Sequence, residues 1–186
     1  MSNRGRVRTE QGLKRVRAYL NGVLVADTTN VLLVWEKPYY PAFYIPAADV
    51  NTELLVGTGE TTRSPSRGTA ALHTVKVDGA EAVEAAAWYT DSPIAEINDH
   101  IHISWDAMTS WFEEDEEVYV HPRSPYTRVD VLPSSRHIRV EVDGVTVADS
   151  TNSRTSDRSR VCSASSYESA IRPPYRSTSF TISPPM

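Results

Sequence analysis

The densest cluster of chemically useful side chains in the sequence joins one carboxylate to several aromatic rings. Its members are Trp35, Glu36, Lys37, Tyr39, Tyr40, Phe43 and Tyr44. Aromatic rings with a few placed polar groups commonly line small-molecule pockets. A carboxyl group in such surroundings is a candidate general acid or base, so Glu36 is the expected catalytic residue. The same residues also fit a β-core with tyrosine hydroxyls at its surface and a Glu36–Lys37 surface pair.

A second candidate is the stretch TGETTRSPSRG, from Thr58 to Gly68, which is rich in hydroxyls and glycines and carries Arg63 and Arg67. Backbone N–H groups and guanidinium groups can hold a phosphate, although the ordered pattern of a P-loop is missing. A flexible surface loop explains the same composition. Across these candidates and the nearby His73, the expected ligand-binding residues are Trp35, Tyr39, Tyr40, Tyr44, Arg67 and His73.

Two histidines that alternate along a short strand, His100 and His102, are followed by Asp106. Alternation places both imidazoles on one face, but a metal needs three or four ligands. The others would have to converge from distant positions such as His73, Asp99 or His121. A half-exposed strand explains the pattern more simply, so we expect neither a metal nor a cofactor.

The elements that position these residues begin with a repeated hairpin. VRAYLNGVLVADTTN (16–30) recurs as IRVEVDGVTVADSTN (138–152) at an offset of 122 residues, and HTVKVDG (73–79) is a weaker echo. Asn-Gly and Asp-Gly favour two-residue type I′ turns, in which both residues have positive φ. We therefore predict such turns at 21–22, 78–79 and 143–144. They pair Leu20 with Val23 and Ala18 with Val25, and in the second copy Val142 with Val145 and Val140 with Val147.

Apolar runs and turn residues predict further short strands. Val31 to Trp35 is continuously apolar, as in a strand that is buried on both faces. The other predicted strands are 43–45, an approach over 49–56, a pair over 70–77 and 80–88, and short strands at 101–103 and 118–120. We expect a polar loop over 57–68, a helical turn capped by Asp106, and a solvated acidic face over 113–117.

Composition excludes several classes of protein. The longest apolar runs fall far short of the roughly 20 residues of a membrane span, and no secretory leader is visible. The single Cys162 allows no internal disulfide. The net charge of −5 combines +5 over residues 1–17 and +3 over 153–186, which leaves −13 over 18–152. So acidic a body repels phosphate backbones. We expect a cytoplasmic protein whose partner is an unknown small molecule, with neither nucleic acid nor membrane.

Several long segments together resemble a known family: WEKPYYPAFYIPAADV, SPSRGTA, AAAWYTDSP and WFEEDEEVYVHPRSPYTRVDVLPSSRHIRVEVDG. The chain resembles domain-of-unknown-function family 427, also labelled nucleotidyltransferase-like, over residues 5–152. The resemblance implies a compact all-β unit akin to β-tent folds, in a tandem protein whose second unit is truncated. Family members often carry Cys-Pro-Tyr-Lys-Gly where this chain has Ser64 to Gly68, so a thiol-based role at that position is excluded.

The expected organisation is a basic arm (1–14), a complete β unit (15–120), a Pro-rich connector (121–136), the opening hairpin of a second unit (137–152) and a Ser/Arg/Pro-rich disordered tail (153–186). The orphan hairpin must dock on the first unit, pair with another chain as a homodimer, or fray, and docking is the first expectation. Three functions stay open: small-molecule binding, an enzyme using Glu36 or transferring nucleotides, and a remnant without activity.

Overall fold

The computed structural model describes residues 7–37, 39–126, 130–157 and 179–182, and the chain divides into two compact units, Met1–Ser124 and Pro125–Met186. Of the described residues, strands account for 60% and helical segments for 8%, and the strand pairs among them are all antiparallel, so the predicted mainly-β fold is confirmed. Among the described residues, every helical segment is a three-residue 3₁₀ turn, and none is long and apolar enough to cross a membrane.

Within residues 7–37 and 39–124, the first unit contains eleven strands. They are β1 Arg8–Gln11, β2 Val16–Leu20, β3 Val23–Thr28, β4 Leu32–Trp35, β5 Ala42–Pro46, β6 Leu55–Ser64, β7 Gly68–Val77, β8 Ala80–Asp91, β9 His100–Ile103, β10 Ser110–Glu113 and β11 Glu116–Val118. The 3₁₀ turns are Ala47–Asp49, Thr52–Leu54, Ala95–Ile97 and Trp105–Ala107.

These strands form two sheets. The larger has seven strands in the order β1-β4-β5-β9-β8-β7-β6, and the smaller has four in the order β11-β10-β2-β3. Strand β4 is buried along its whole length and pairs with β1 and β5, as its continuous apolar run predicts. One core cluster lies against the larger sheet and consists of Leu32, Val34, Tyr44, Ala70, Ala87, Tyr89 and Ile97. Two tyrosines in this core carry hydroxyl groups that need polar partners.

The two copies of the repeated hairpin fold alike. Positive φ at Asn21 and Gly22, and at Asp143 and Gly144, gives both the predicted type I′ turn. The pairs next to the turns are also confirmed, Leu20 with Val23 and Val142 with Val145.

The next predicted pair in each hairpin is wrong. Ala18 pairs with Ala26, and Val140 pairs with Ala148, because each hairpin has a register shift at the same position. One extra residue on the second strand, a β-bulge, offsets the pairing beyond it. The third predicted turn also differs, since only Gly79 has positive φ there, whereas a type I′ turn needs it at both central residues.

Three predicted polar segments have more structure than expected. The predicted loop over 57–68 is mostly strand β6, which lies at the edge of the larger sheet. Residues 8–11 of the predicted basic arm form β1, which pairs with β4. The acidic run is not a solvated face at its start, because Glu113 and Glu114 are each 1% exposed.

Two other predicted elements also differ in detail. The approach to β6 contains two 3₁₀ turns. Residues 110–113, which follow the Trp105–Ala107 turn, form strand β10.

The described residues of the second unit form five strands, β12 Asp130–Ser134, β13 Ile138–Val142, β14 Val145–Ser150, β15 Ser153–Asp157 and β16 Ser179–Ile182. They form a two-stranded sheet, β12-β15, and a three-stranded sheet, β14-β13-β16. Every residue of β14 is exposed. Of the predicted tail, 153–157 and 179–182 are strands, and the remainder lies outside the described residues.

Candidate functional site

Glu36 follows the buried strand β4, and both of its carboxylate oxygens have partners. The Tyr44 hydroxyl donates a hydrogen bond to Oε1 at 3.0 Å. The Arg67 Nη2 lies 3.0 Å from Oε2 in an ion pair. The expected surface pair with Lys37 therefore gives way to a partner from the turn between β6 and β7, 31 residues further along the chain.

Arg67 contacts three polar side chains, because its Nη1 also donates to the hydroxyl of Tyr44 at 2.7 Å and to that of Tyr89 at 2.9 Å. Its position depends on the next residue, Gly68, which has φ of +85°. A Cβ at Gly68 would lie 2.8 Å from Pro93 Cδ and 2.9 Å from the Asp91 carbonyl oxygen. Only glycine fits this turn without displacing its neighbours.

The Tyr44 hydroxyl lies between the Glu36 carboxylate and the Arg67 guanidinium and bonds to both. Burial, followed by the negative charge of Glu36, raises the pKa of Tyr44 well above its ordinary value. The phenol therefore keeps its proton at neutral pH, and it donates to Glu36 while it accepts from Arg67. Glu36 and Arg67 are thus joined both directly and through this hydroxyl.

His102 lies on β9 directly opposite Tyr44, and the two ring centroids are 5.1 Å apart. Burial lowers the pKa of His102, the charge of Arg67 acts in the same direction, and Glu36 opposes them. A neutral imidazole, which can both donate and accept a hydrogen bond, is therefore the form at neutral pH. We name Glu36, Tyr44, Arg67, Tyr89 and His102 the Glu36 cluster.

Three adjacent cavities border this cluster, and His102 lines all of them. A polar cavity of about 280 Å³ is lined by Glu36, Arg67 and Tyr89 together with Arg63 and Glu84. A cavity of about 170 Å³ lies between Glu36 and Tyr40. The third, of about 320 Å³, is mainly aromatic and is named the aromatic cavity. We refer to the three together as the cleft.

The aromatic cavity is built on two stacked indoles. The rings of Trp105 and Trp111 are 4.9 Å apart with an angle of 6° between their planes, and Trp111 Nε1 donates to the Trp105 carbonyl oxygen at 3.0 Å. Phe43 packs against both indoles. Tyr40 stacks on His121 at 4.3 Å with an angle of 15°. These contacts fix five ring systems before any ligand is present.

The structure brings together only part of the predicted site. Glu36, Tyr44 and Arg67 are in direct contact, and Tyr40 lines two of the cavities. Three predicted ligand-binding residues lie elsewhere. Trp35 is buried with the Arg8 guanidinium 4.6 Å from its ring, Tyr39 is 79% exposed, and His73 packs against Trp88 at 5.8 Å.

Several site residues were missed in the sequence. The sequence pattern presents His102 and His121 only as candidate metal ligands, and it indicates no role for Tyr89, Trp105 or Trp111. The alternation of His100 and His102 was a usable signal, because it places His102 on the partly exposed face of β9. In the part of the chain that the structure describes, no three His, Cys, Asp or Glu side chains are grouped as metal ligands, and His100 Nδ1 lies 2.9 Å from the Asn98 carbonyl oxygen.

Fold and site together define a mainly antiparallel β protein whose cleft combines a half-buried Glu–Arg–Tyr cluster with stacked aromatic rings. The chain belongs to the family described as "Domain of unknown function (DUF427)", whose model, NTP_transf_9, matches residues 8–114. That range includes the whole Glu36 cluster and both indoles, but not His121. No curated protein matches the chain significantly.

Proposed function

We propose that this protein binds a small organic molecule in the cleft, with a polar group at the Glu36 cluster and a flat apolar part against the aromatic rings. The observation that carries the proposal is the placement of the ion pair Arg67–Glu36 in a cavity wall, with side-chain exposures of 20% and 31%. Here a guanidinium and a carboxylate are both held rigidly and both reachable.

The arrangement suits recognition because its polar groups are fixed in advance. Arg67 is held by two phenols and one carboxylate, so little side-chain entropy remains to be lost on binding. The cavity volumes, about 280 and 320 Å³, are at the lower end of the range for small-molecule pockets. The ligand is therefore of fragment or metabolite size rather than a polymer.

A fragment screen by protein-observed NMR tests the proposal, because four indole N–H signals report on four places. Binding in the cleft shifts the signals of Trp105 and Trp111 and leaves those of Trp35 and Trp88 in place. Glu36→Gln is expected to weaken the cleft-binding fragments about tenfold, as expected for a lost charge-assisted hydrogen bond. Glu81→Gln, an acid-to-amide change in the exposed Lys76–Glu81 pair, is the matched control. Absence of any fragment that shifts Trp105 or Trp111 contradicts the proposal, and poor folding together with that absence favours the inactive remnant.

An acid–base enzyme is the second candidate, favoured by one observation. Glu36 and His102 line the same two cavities, so a carboxylate and a neutral imidazole face one bound molecule from two sides. Such a pair can accept and return a proton during isomerisation or hydrolysis of a small substrate. Incubation of the cleft-binding compounds with protein, followed by ¹H NMR, tests for turnover. Loss of turnover in Glu36→Gln and in His102→Asn, at compound concentrations that saturate each variant, supports the enzyme.

Nucleotidyl transfer has the family label as its support, and the structure removes one argument for it. Residues 58–64 of the glycine- and hydroxyl-rich stretch lie in strand β6, and residues 61–64 pair with β7, so the stretch is not an open loop of backbone N–H groups; Arg63 and Arg67 line the polar cavity. We therefore expect ATP with Mg²⁺ to leave the melting temperature unchanged. A shift of several degrees that depends on Mg²⁺ would favour the transferase instead.

For assembly we keep the orphan hairpin as the proposed contact, either with the first unit or with a second copy in a homodimer. The exposed Val145 and Val147 on β14 support this, because burying two valines is favourable. If the hairpin docks within the chain, deletion of residues 134–186 lowers the melting temperature of the first unit. A concentration-dependent mass in light scattering supports the homodimer. A cytoplasmic location also remains a proposal, to be tested by fractionation.

A further inference from the structure

We propose that the aromatic cavity is a recognition site for a small organic cation, such as a methylated ammonium group. The inference rests on the proposed small-molecule function and names the chemical class of the ligand that the cleft takes. Its basis is the combination of stacked aromatic rings with one carboxylate in a cavity of about 320 Å³.

The one charged side chain in the described lining of the aromatic cavity is negative. Among the described residues that line it, Asp106 is the one Asp, Glu, Lys or Arg side chain. Asp106 is exposed and lies next to Trp105 on the 3₁₀ turn Trp105–Ala107. The polar cavity on the other side of His102 differs, because Arg63 and Arg67 balance Glu36 and Glu84 there. A cation is therefore favoured in the aromatic cavity and an uncharged or zwitterionic group beside Arg67.

The rings supply the second attraction. The face of an indole or a phenol carries negative electrostatic potential, and a cation within about 6 Å of the ring centre is attracted to it. Trp105, Trp111, Phe43 and Tyr40 all line the cavity. The first three pack against one another, and Tyr40 is held by its stacking on His121. A quaternary ammonium group gains most here, because it has no N–H donors that must find acceptors.

His102 separates the two parts of the cleft and adds no charge at neutral pH. Burial keeps its imidazole neutral, so it does not repel a cation in the neighbouring cavity. Residues 1–124, which form the first unit, contain 18 Asp and Glu against 11 Lys and Arg, and this net charge of −7 also raises the local concentration of cations around the unit. The site therefore combines long-range attraction with short-range contact to aromatic faces.

The test compares choline with 3,3-dimethylbutan-1-ol, which has the same shape without the charge. Both are titrated into the full chain, and the indole signals of Trp105 and Trp111 are followed by ¹H–¹⁵N NMR. We expect choline to shift these two signals and to bind about tenfold more tightly than the neutral alcohol. The signals of Trp35 and Trp88 serve as internal references.

Two variants separate the charge from the shape of the site. Asp106→Asn is expected to weaken choline about threefold to fivefold while the alcohol is unaffected. Asp78→Asn, at an exposed acid in the β7–β8 turn, is the matched control and leaves choline binding unchanged. Trp105→Leu abolishes the preference for the cation, and wild-type shifts of the Trp35 and Trp88 indoles, which do not contact Trp105, show that the variant is folded.

Equal affinity of choline and the alcohol, or equal choline affinity in Asp106→Asn and wild type, overturns the proposal. If neither compound shifts Trp105 or Trp111 while other fragments do, the cation site is wrong and the proposed small-molecule function stands. If no fragment shifts these indoles, the proposed function fails as well.

Discussion

Two ion pairs in the first unit have nearly the same length and opposite surroundings. Lys14 Nζ lies 2.9 Å from Glu113 Oε2, and Arg67 Nη2 lies 3.0 Å from Glu36 Oε2. The side chains of the first pair are 9% and 2% exposed, whereas those of the second are 20% and 31% exposed. We call them the closed pair and the open pair. Their difference shows that burial and surroundings, not the length of the contact, separate a structural ion pair from a candidate site.

The closed pair lies in a set of contacts that attach the N-terminal segment to the β10–β11 hairpin. Glu113 Oε1 accepts a hydrogen bond from the backbone N–H of Arg123, and Glu114 Oε1 accepts one from the backbone N–H of Arg15. Residues 14 and 113 are 99 positions apart. The pair therefore closes the first unit onto itself, and its carboxylate is satisfied by groups of the protein.

The largest effect is expected from Glu113→Ala, which removes the buried carboxylate that faces Lys14. Removing one partner of a buried ion pair typically costs about 3–5 kcal/mol. Urea denaturation followed by circular dichroism measures the loss. The corresponding change in the open pair, Glu36→Ala, is expected to cost about 1 kcal/mol or less, because solvent reaches and screens this partly exposed pair. Equal costs for the two variants would remove the distinction between the closed and the open pair.

A smaller loss is expected from Gly68→Ala, which acts on the open pair through the turn that holds Arg67. Positive φ costs an alanine about 1–2 kcal/mol, and the close approach to Pro93 and the Asp91 carbonyl adds to it. Gly59→Ala is a matched control, because Gly59 has φ of +81° and nothing lies within 4 Å of its added Cβ. Both variants are expected to lose stability, with the greater loss in Gly68→Ala. Weaker ligand binding is expected in Gly68→Ala alone, and a parallel loss in Gly59→Ala would contradict the role of the turn.

The next effect is a dependence of the folding stability on pH, which comes from His102 beside the open pair. Its folded pKa lies below its ordinary value near 6.5, mainly because of burial, with Arg67 acting in the same direction and Glu36 against it. The unfolded chain therefore binds a proton here before the folded protein does. The stability is intact above about pH 6.5 and falls as the pH decreases from there towards the folded pKa.

Melting temperatures at about pH 7.5 and about pH 5.5 measure this dependence, because these conditions lie on either side of the ordinary histidine pKa of 6.5. The wild type is expected to lose more than His102→Gln between the two conditions, since the variant lacks the group. The remaining histidines are present in both proteins, and their contributions cancel in the comparison. An equal loss in both proteins would show that His102 is not the titrating residue.

The smallest effect is expected at a third pair, Lys76–Glu81, whose side chains are 50% and 49% exposed. Exposed pairs typically contribute about 0.2–1 kcal/mol, and salt screens them. Glu81→Gln should therefore change the free energy of unfolding by less than about 0.5 kcal/mol. A cost as large as that of Glu113→Ala would show that exposure does not rank these three pairs.

Sequence patterns predicted the fold wherever local physics sets the conformation. The Asn21-Gly22 and Asp143-Gly144 turns follow from two adjacent residues that tolerate positive φ. Strand β4 follows from a continuous apolar run. Strand β6 escaped prediction because it is an edge strand with both faces mostly exposed, so its sequence shows no alternation of apolar and polar residues. The bulges at matching positions of the two hairpins were missed because a register shift leaves no local signal in apolar residues.

The site was predicted in part for the same reason. Glu36 and Tyr44 were found because they are close in the sequence, and Arg67 because it belongs to a conspicuous stretch. Nothing in the spacing pointed to the contact of Arg67 with Tyr89, or to the stacking of Tyr40 on His121. His73 was expected at the site, and its strand instead carries it against Trp88.

The sequence by itself determined the β class, the family and the presence of an acid among aromatic rings. It also determined the conformation of two of the three predicted hairpin turns. The tertiary structure decided which charges are closed off by protein and which border a cavity. The physical reason is that turns and strands depend on neighbouring residues, whereas the burial of Lys14 with Glu113 and the exposure of Arg67 with Glu36 depend on strands brought together from distant parts of the chain.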